Sequence, residues 1–300
     1  MRNSEILFIY DAKMCNPNGD PDSENKPRMD WSTQRNLVSD VRLKRYIRDY
    51  LYEKKNKDIF VRKEDGRNVD ATQRVASLNL DRESEESILN AALENWIDAR
   101  LFGATIPVKG SQKGAKGKSI AITGPVQFTW GYSLNKVELL DSHSITSVLS
   151  GAETGEGNIG KDWRVKYSLI AFYGRINRHA AEHSKMSEED LQLLEEAIWN
   201  SILTQTNTRS KIGQEPRFYL RVEFREGEDT VIGDLRRFVR LDKEDSLGDV
   251  SDYTLDVRPL VEELKKYEDR IEKIVLKVSP HLKVEGLSDL KALPTLQEIA

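Results

Sequence analysis

Three groups of residues in this chain have the types that bond-breaking chemistry needs. Asp11, Asp20 and Asp22 stand at and beyond the end of the β-rich run "EILFIYDAK" (5–13). Carboxylates at a strand end can hold two metals for phosphodiester cleavage. "HAAEH" (179–183) has the H-x-x-E-H order of a zinc protease, and "QKGAKGKS" (112–119) ends like a phosphate-binding P-loop. Each has a plainer reading. Asp20 and Asp22 lie in "NPNGDPDSENKP" (16–27), where Asp is expected for turn geometry alone. His179 and His183 fall on a connector before a helix that begins at Ser187. The P-loop lacks its first glycine, with Gln112 in that place, and β-rich sequence follows instead of a helix. The single cysteine, Cys15, and the lack of a recognisable Ser–His spacing give nucleophilic catalysis no support. No catalytic residue, metal or cofactor is expected.

The fourth group is cationic. In "VSDVRLKRYIRDYL" (38–51), Leu43, Tyr46, Ile47, Tyr50 and Leu51 fill one apolar arc at roughly 100° per residue. Lys44, Arg45 and Arg48 cluster on the adjoining arc, with Arg42 beyond them. Lys44 is followed at i+4 by Arg48, a spacing at which like charges repel. Such a row asks for an external anion. Further Gly/Lys or Gly/Arg loops lie near 109–118, 155–161 and 209–213, and together these segments suit a phosphate backbone.

Whole-chain composition sets the frame. The 300 residues carry a net charge of −4, which excludes a generic basic nucleic-acid coat. The charge is uneven: residues 1–120 hold 22 Lys/Arg against 19 Asp/Glu, and the remainder is acidic. No apolar run reaches the roughly 18 residues of a membrane span, and the N-terminus lacks a signal-peptide pattern. One cysteine fits a reducing compartment, so a cytoplasmic protein without membrane contact is expected.

The elements that must position these residues follow from periodicity. Strands are expected at 5–13, 120–134, 164–176, 217–224 and 272–279. Helices are expected from about Trp31 to Lys55, over 84–103, and over 187–203 with a capping box at Ser187 and Asp190. The order β, α, insertion, β, β, α, β predicts an α+β, ferredoxin-like (RRM-like) βαββαβ palm. The palm takes 1–55 and 120–300, with a subdomain inserted at 56–119.

"ILFIYDAKMCNPNGDPDSENKPRMD", "RNLVSDVRLKRYIRDYL", "DARLFGATIP", "GEGNIGKDWRVKYSLIAFYGRIN" and "TRSKIGQEPRFYLRVEF" stand in register over most of 4–225. In these segments the chain resembles the Cas7 family of CRISPR-associated proteins, in particular its Csh-two-like branch from type I-B systems. The resemblance implies a backbone subunit of a Cascade surveillance complex that binds guide crRNA without cutting it. It implies a palm, an inserted finger at 56–119 and a thumb loop at about 145–163. Implied partners are the guide, target DNA, further copies head to tail, large, Cas-five-like and Cas-six-like subunits, and a recruited helicase-nuclease.

Carried over by residue, the family pattern places Ser39, Lys44, Arg45 and Arg48 on the guide backbone, with Arg42 beside them. It places Gly157, Gly160 and Lys161 in the thumb and Lys211 and Gln214 in a loop near the RNA. Asn16, Asn18 and Arg28 become phosphate or 2′-hydroxyl contacts, and Lys109, Lys113, Lys116 and Lys118 target-DNA contacts in the finger. Related type III subunits cut RNA with a first-loop aspartate, so a metal-dependent ribonuclease using Asp20, Asp22 or Asp30 is the rival reading. The acidic stretch 226–270 carries little of the resemblance and reads as solvent-facing or subunit-docking surface.

Overall fold

A computed structural model describes residues 1–63, 67, 69–78, 84–108, 118–147, 158–205 and 208–299, with backbone alone at 141–147 and 158–160. It is a mixed α/β structure with eight α-helices among the described residues. β1 (Ser4–Cys15) is buried along nearly its whole length, as its unbroken apolar run requires of a central strand. Its side chains alternate between two cores: Ile6, Phe8 and Tyr10 enter one, Leu7 and Ile9 the other.

After β1 the first loop forms a ribbon of β2 (Gly19–Asp20) and β3 (Lys26–Pro27), then a hairpin of β4 (Met29–Asp30) and β5 (Arg35–Val38). Helix α1 (Asp40–Lys55) therefore starts nine residues later than its expected beginning at Trp31. The cause is local. The Asp30 carboxylate accepts from Ser32 N, Ser32 Oγ and Thr33 Oγ1 at 3.0, 2.6 and 2.7 Å, folding 31–34 into the hairpin tip.

The stretch expected as an insertion contains α2 (Ala71–Ala76), α3 (Glu85–Asn95), α4 (Ile97–Phe102) and the hairpin β6 (Gly103–Val108) with β7 (Lys118–Thr123). The single helix expected over 84–103 breaks at Trp96, which has extended backbone. There the indole packs 4.9 Å from the Phe60 ring and donates to Asp58 at 3.2 Å. That tertiary contact outweighs helix propensity. Among the described residues β7 pairs with β6 alone, and the boundary expected at 119/120 falls inside this strand. A Cβ on Gly124 would lie 2.0 Å from the Phe102 carbonyl carbon, so only glycine lets the end of β7 pass this close to the end of α4.

β8 (Val126–Phe128), β9 (Gly131–Ser133) and β10 (Leu139–Ser147) each pair with the long β11 (Asn158–Ile176). α5 (Arg178–Ser184) and α6 (Glu188–Leu203) follow, the latter opened by the Ser187–Asp190 capping box that the sequence indicates. β12 (Gln214–Phe224) returns beside β1. The last segment contains β13 (Arg240–Leu241), β14 (Leu255–Asp256), α7 (Arg258–Lys265), β15 (Ile271–Val278), β16 (Val284–Glu285), α8 (Leu287–Lys291) and β17 (Leu296–Glu298).

The main sheet has the order β17-β15-β12-β1-β11-β9-β5-β4. Both neighbours of β1 are antiparallel to it. Helices α1 and α6 pack on one face, through Leu43, Ile47, Leu194 and Ile198 among others. The opposite face is covered by the C-terminal segment, through Leu235, Tyr253, Leu255, Leu260 and Leu264. This corrects the reading of 226–270 as mere surface: nine of the 25 buried residues described for the second core come from it. No helix among the described residues is long and apolar enough to cross a membrane.

Candidate nucleic-acid interface

The residues singled out by sequence divide into two groups in space. One gathers where the first loop, the start of α1 and the 208–214 loop meet. Asn18 is buried, and its Oδ1 accepts from Ser39 N at 2.9 Å and Ser39 Oγ at 3.0 Å. Ser39 is the N-cap of α1, yet its hydroxyl makes no cap bond within the helix; Asn18 holds it instead. Lys211 Nζ donates to the carbonyls of Asn16 and, at 3.3 Å, Pro17. Gln214 donates to the Lys211 carbonyl at 3.0 Å and meets the hydroxyl of Tyr46 on α1.

The 208–214 loop reaches this position because Gly213 has φ +108° and accepts from Lys13 N at 2.7 Å. Any Cβ there would sit 2.3 Å from the Lys13 carbonyl oxygen.

Two cations face each other across this junction. Arg42 is half-buried, stands 5.7 Å from the Tyr46 ring centroid, and makes no ion pair among the described residues. Burial and then the charge of Arg42 push the Lys211 ammonium down to about 8. Burial also pushes neighbouring Cys15 and Tyr46 up to about 12, so neither supplies a compensating negative charge near neutrality. Asn16 Oδ1 is buried with no hydrogen-bond partner. The junction thus offers two cations without a carboxylate partner among the described residues, the complement of an anion.

The second group is already satisfied inside the chain. Lys44 is 8% exposed; its Nζ bonds Gln127 Oε1 at 3.0 Å and pairs with Asp40, one turn earlier, at 3.2 Å. Arg45 pairs with Asp49 and donates to the Val61 carbonyl at 2.8 Å. Arg48 Nε bonds Asp98 Oδ2 at 2.7 Å, and Asp98, 1% exposed, also accepts from Phe60 N and Val61 N. The row of unpaired cations expected on α1 is therefore corrected. Three of its four members bind internal partners, and Lys44 and Arg48 fasten α1 to β8 and α4. Asp40 and Asp49, the two acids this helix offers, take Lys44 and Arg45, whereas Asp98, the partner of Arg48, lies fifty residues on and gives no local signal.

Arg28 pairs with Asp20 at 3.2 Å and stands 5.8 Å from the Trp130 ring centroid, with its Nε buried and unpartnered. Exposed Lys161 pairs with Glu24 at 2.7 Å, so it reaches the tip of the first loop. Exposed Lys118 lies 3.4 Å from Glu85. Gly157, Lys109, Lys113 and Lys116 lie outside the described residues, and Gly160 is described by backbone alone, within β11.

The catalytic-looking groups have structural partners too. Asp11 is buried in the second core's polar centre, accepting from Arg217 Nε at 2.7 Å and Tyr167 Oη at 2.8 Å. Burial raises its pKa, and Arg217 and then Tyr167 hold that rise back. Asp20 and Asp30 support the first loop as described. His183 Nδ1 is 2.7 Å from the His179 carbonyl within α5, a contact that occupies one ring nitrogen. Among the described residues, no three His, Cys, Asp or Glu side chains are grouped to hold a metal ion. GKS leads into strand β7, the opposite of a P-loop context.

A family model described as CRISPR-associated protein Cas7 matches residues 2–258. A curated CRISPR-associated protein Cas7 from Haloferax volcanii is 39% identical over 295 residues, covering 91% of this chain and 85% of its own length. A chain of a solved "CRISPR RNA-guided surveillance complex" superposes with a TM-score of 0.55 at 13% identity, covering 99% of this chain and 95% of its own. A chain from a pre-nicking state of such a complex gives 0.55 at 14%, covering 99% and 96%. At these identities the likeness to the solved structures is one of fold. Sequence and family model together are decisive: the chain belongs to the Cas7 family of CRISPR-associated proteins.

Proposed function

We propose that this chain is a non-catalytic, guide-RNA-binding backbone subunit of a type I-B Cascade complex, repeating head to tail along the crRNA. The observation that carries the reading is the Arg42–Lys211 junction: two cations without a carboxylate partner beside the buried, unpaired Asn16 Oδ1. In this reading the two cations take successive phosphates of the guide, and Ser39, Asn18 and Gln214 hold them in place.

The strand order β12-β1-β11-β9, with α1 and α6 on one face, supports a ferredoxin-like palm. We assign 56–123 to the finger, with Lys118 and the lysines before it meeting target DNA, and the 145–163 stretch to the thumb. The guide, target DNA, large, Cas-five-like and Cas-six-like subunits and a helicase-nuclease are its partners, in the cytoplasm. Lys44, Arg45 and Arg48 then act by positioning α1, not by touching phosphate.

The rival ribonuclease reading has no observation in its favour: Asp20 and Asp30 have structural partners, and exposed Asp22 is not grouped with two further His, Cys, Asp or Glu side chains among the described residues. Incubating the purified chain with labelled guide and complementary target RNA plus Mg²⁺ or Mn²⁺ is expected to give binding and no cleavage. Cleavage lost on Asp20→Ala or Asp22→Ala would overturn the reading.

A further inference from the structure

Two tryptophans stand in solvent at one cleft. Trp31 is 69% exposed and Trp130 47% exposed. A cavity of about 310 Å³ lies between them, at the low end of the roughly 300–1,000 Å³ of small-molecule sites. Lys26, Arg28, Asp20 and Leu37 also line it. The cleft is held firmly. Trp31 rides the hairpin tip that Asp30 ties down through Ser32 and Thr33. Trp130 follows Thr129, whose N–H bonds Tyr173, and its own carbonyl accepts from Arg236 at 2.8 Å. The backbones are fixed while the rings stay wet.

The polar groups say what fits. Lys26 Nζ lies 4.4 Å from the Trp163 ring centroid and has no carboxylate within ion-pair distance among the described residues. Arg28 stands against the Trp130 ring with an unsatisfied Nε. Two cations against the single Asp20 give the rim a net positive charge, which suits a phosphate-bearing strand and opposes a cationic ligand. The cleft also continues the junction already described. Arg28 N donates to the Asn18 carbonyl at 3.1 Å, and the Arg28 carbonyl accepts from Leu37 N at 2.8 Å. Asn18 in turn holds Ser39 at the start of α1.

We propose that the Trp31–Trp130 cleft receives one unpaired nucleobase, stacked on indole and met at its edge by Arg28. The base belongs to the strand whose phosphates lie on Arg42 and Lys211, so the inference rests on the RNA-binding reading. A base offers a π-face to tryptophan whatever its identity, and its edge supplies the acceptors an arginine needs.

The test compares a single-stranded RNA with an abasic strand of the same length, on the full chain. Trp31→Ala and Trp130→Ala are each expected to weaken RNA binding by roughly 5- to 150-fold, the range for one stacked base. Their salt slopes should match wild type, because no phosphate contact is lost. Binding of the abasic strand should not change, and Trp31→Phe should retain most of the affinity. Wild-type affinity in both variants would overturn the proposal, as would equal losses on both strands, which mark a structural role. If the variants bind RNA normally but no longer assemble on long RNA in sedimentation, the cleft takes a neighbouring copy and the proposal falls. Silent tryptophan variants beside an Arg42→Ala that flattens the salt slope would sink this inference alone. A wild-type chain that binds no RNA would sink the functional reading with it.

Discussion

Replacing Arg48 by alanine is expected to cost about 3 kcal/mol of folding stability, lowering the melting temperature by roughly 5–10 °C for a chain of this size. The expectation runs against the view of α1 as a solvated basic stripe, for which loss of one cation is nearly neutral. Asp98 is 1% exposed, and Arg48 is the cation 2.7 Å from its carboxylate. Removing the guanidinium leaves a buried carboxylate with only the N–H groups of Phe60 and Val61. The penalty of an uncompensated buried charge exceeds the worth of the pair itself. A second substitution separates that cause from lost packing. Asp98→Asn keeps an oxygen for Phe60 N, gives up the acceptor for the longer Val61 N bond and removes the charge, so it should restore part of the stability in the Arg48→Ala background. Thermal melts of the four proteins give the coupling. A melting temperature unchanged by Arg48→Ala would contradict the assignment of this cation to the α1–insertion junction.

Replacing Arg42 and Lys211 together by alanine is expected to weaken single-stranded RNA binding by about two orders of magnitude. Hydrogen bonds to charged groups contribute roughly 1.5–3 kcal/mol each, and two at the low end make about a hundredfold. The log–log salt slope should flatten by roughly 1.4, at about 0.7 per lost phosphate contact on a single strand. Lys211 adds a pH signature. Its ammonium titrates at about 8, so a phosphate that needs the charged form binds about tenfold more weakly at pH 9 than at pH 7. Lys211→Arg should abolish that dependence.

Stability moves the other way over the same range. The lysine's folded pKa lies below its unfolded value of 10.5, so from about 8 to 10.5 the unfolded chain binds the extra proton. This group therefore makes stability rise with pH through that window, while affinity falls. Parallel melts and binding isotherms at pH 7 and 9 measure both. Affinity independent of pH in the wild type would remove Lys211 from the phosphate path.

What was legible in the sequence follows the physics of each signal. β1 showed itself as an unbroken apolar run, and α6 through a capping box that uses only residues three apart. The resemblance singled out Asn18, Ser39, Lys211 and Gln214 one by one, and only the fold shows that they meet, since no periodicity links residues 18 and 214. Local spacing failed wherever a distant partner decided the outcome. Arg48 finds Asp98 fifty residues on, Trp96 breaks a good helix pattern to reach Phe60 and Asp58, and the C-terminal acids conceal the apolar cover of the second sheet face. The first-loop hairpin was missed because Asp30 ends what reads as the start of a helix. Trp31 and Trp130 carry no spacing signal at all; only the fold brings them to one cleft.

The most direct test of the central claim is what accompanies the tagged chain when it is purified from cells expressing it with its operon partners and a CRISPR array. The predicted result is RNA of one discrete length, several copies of this chain per RNA, and loss of that RNA in the Arg42→Ala, Lys211→Ala protein at a salt concentration where wild type retains it. A protein that purifies free of nucleic acid, or with RNA of every length regardless of these two residues, would contradict it.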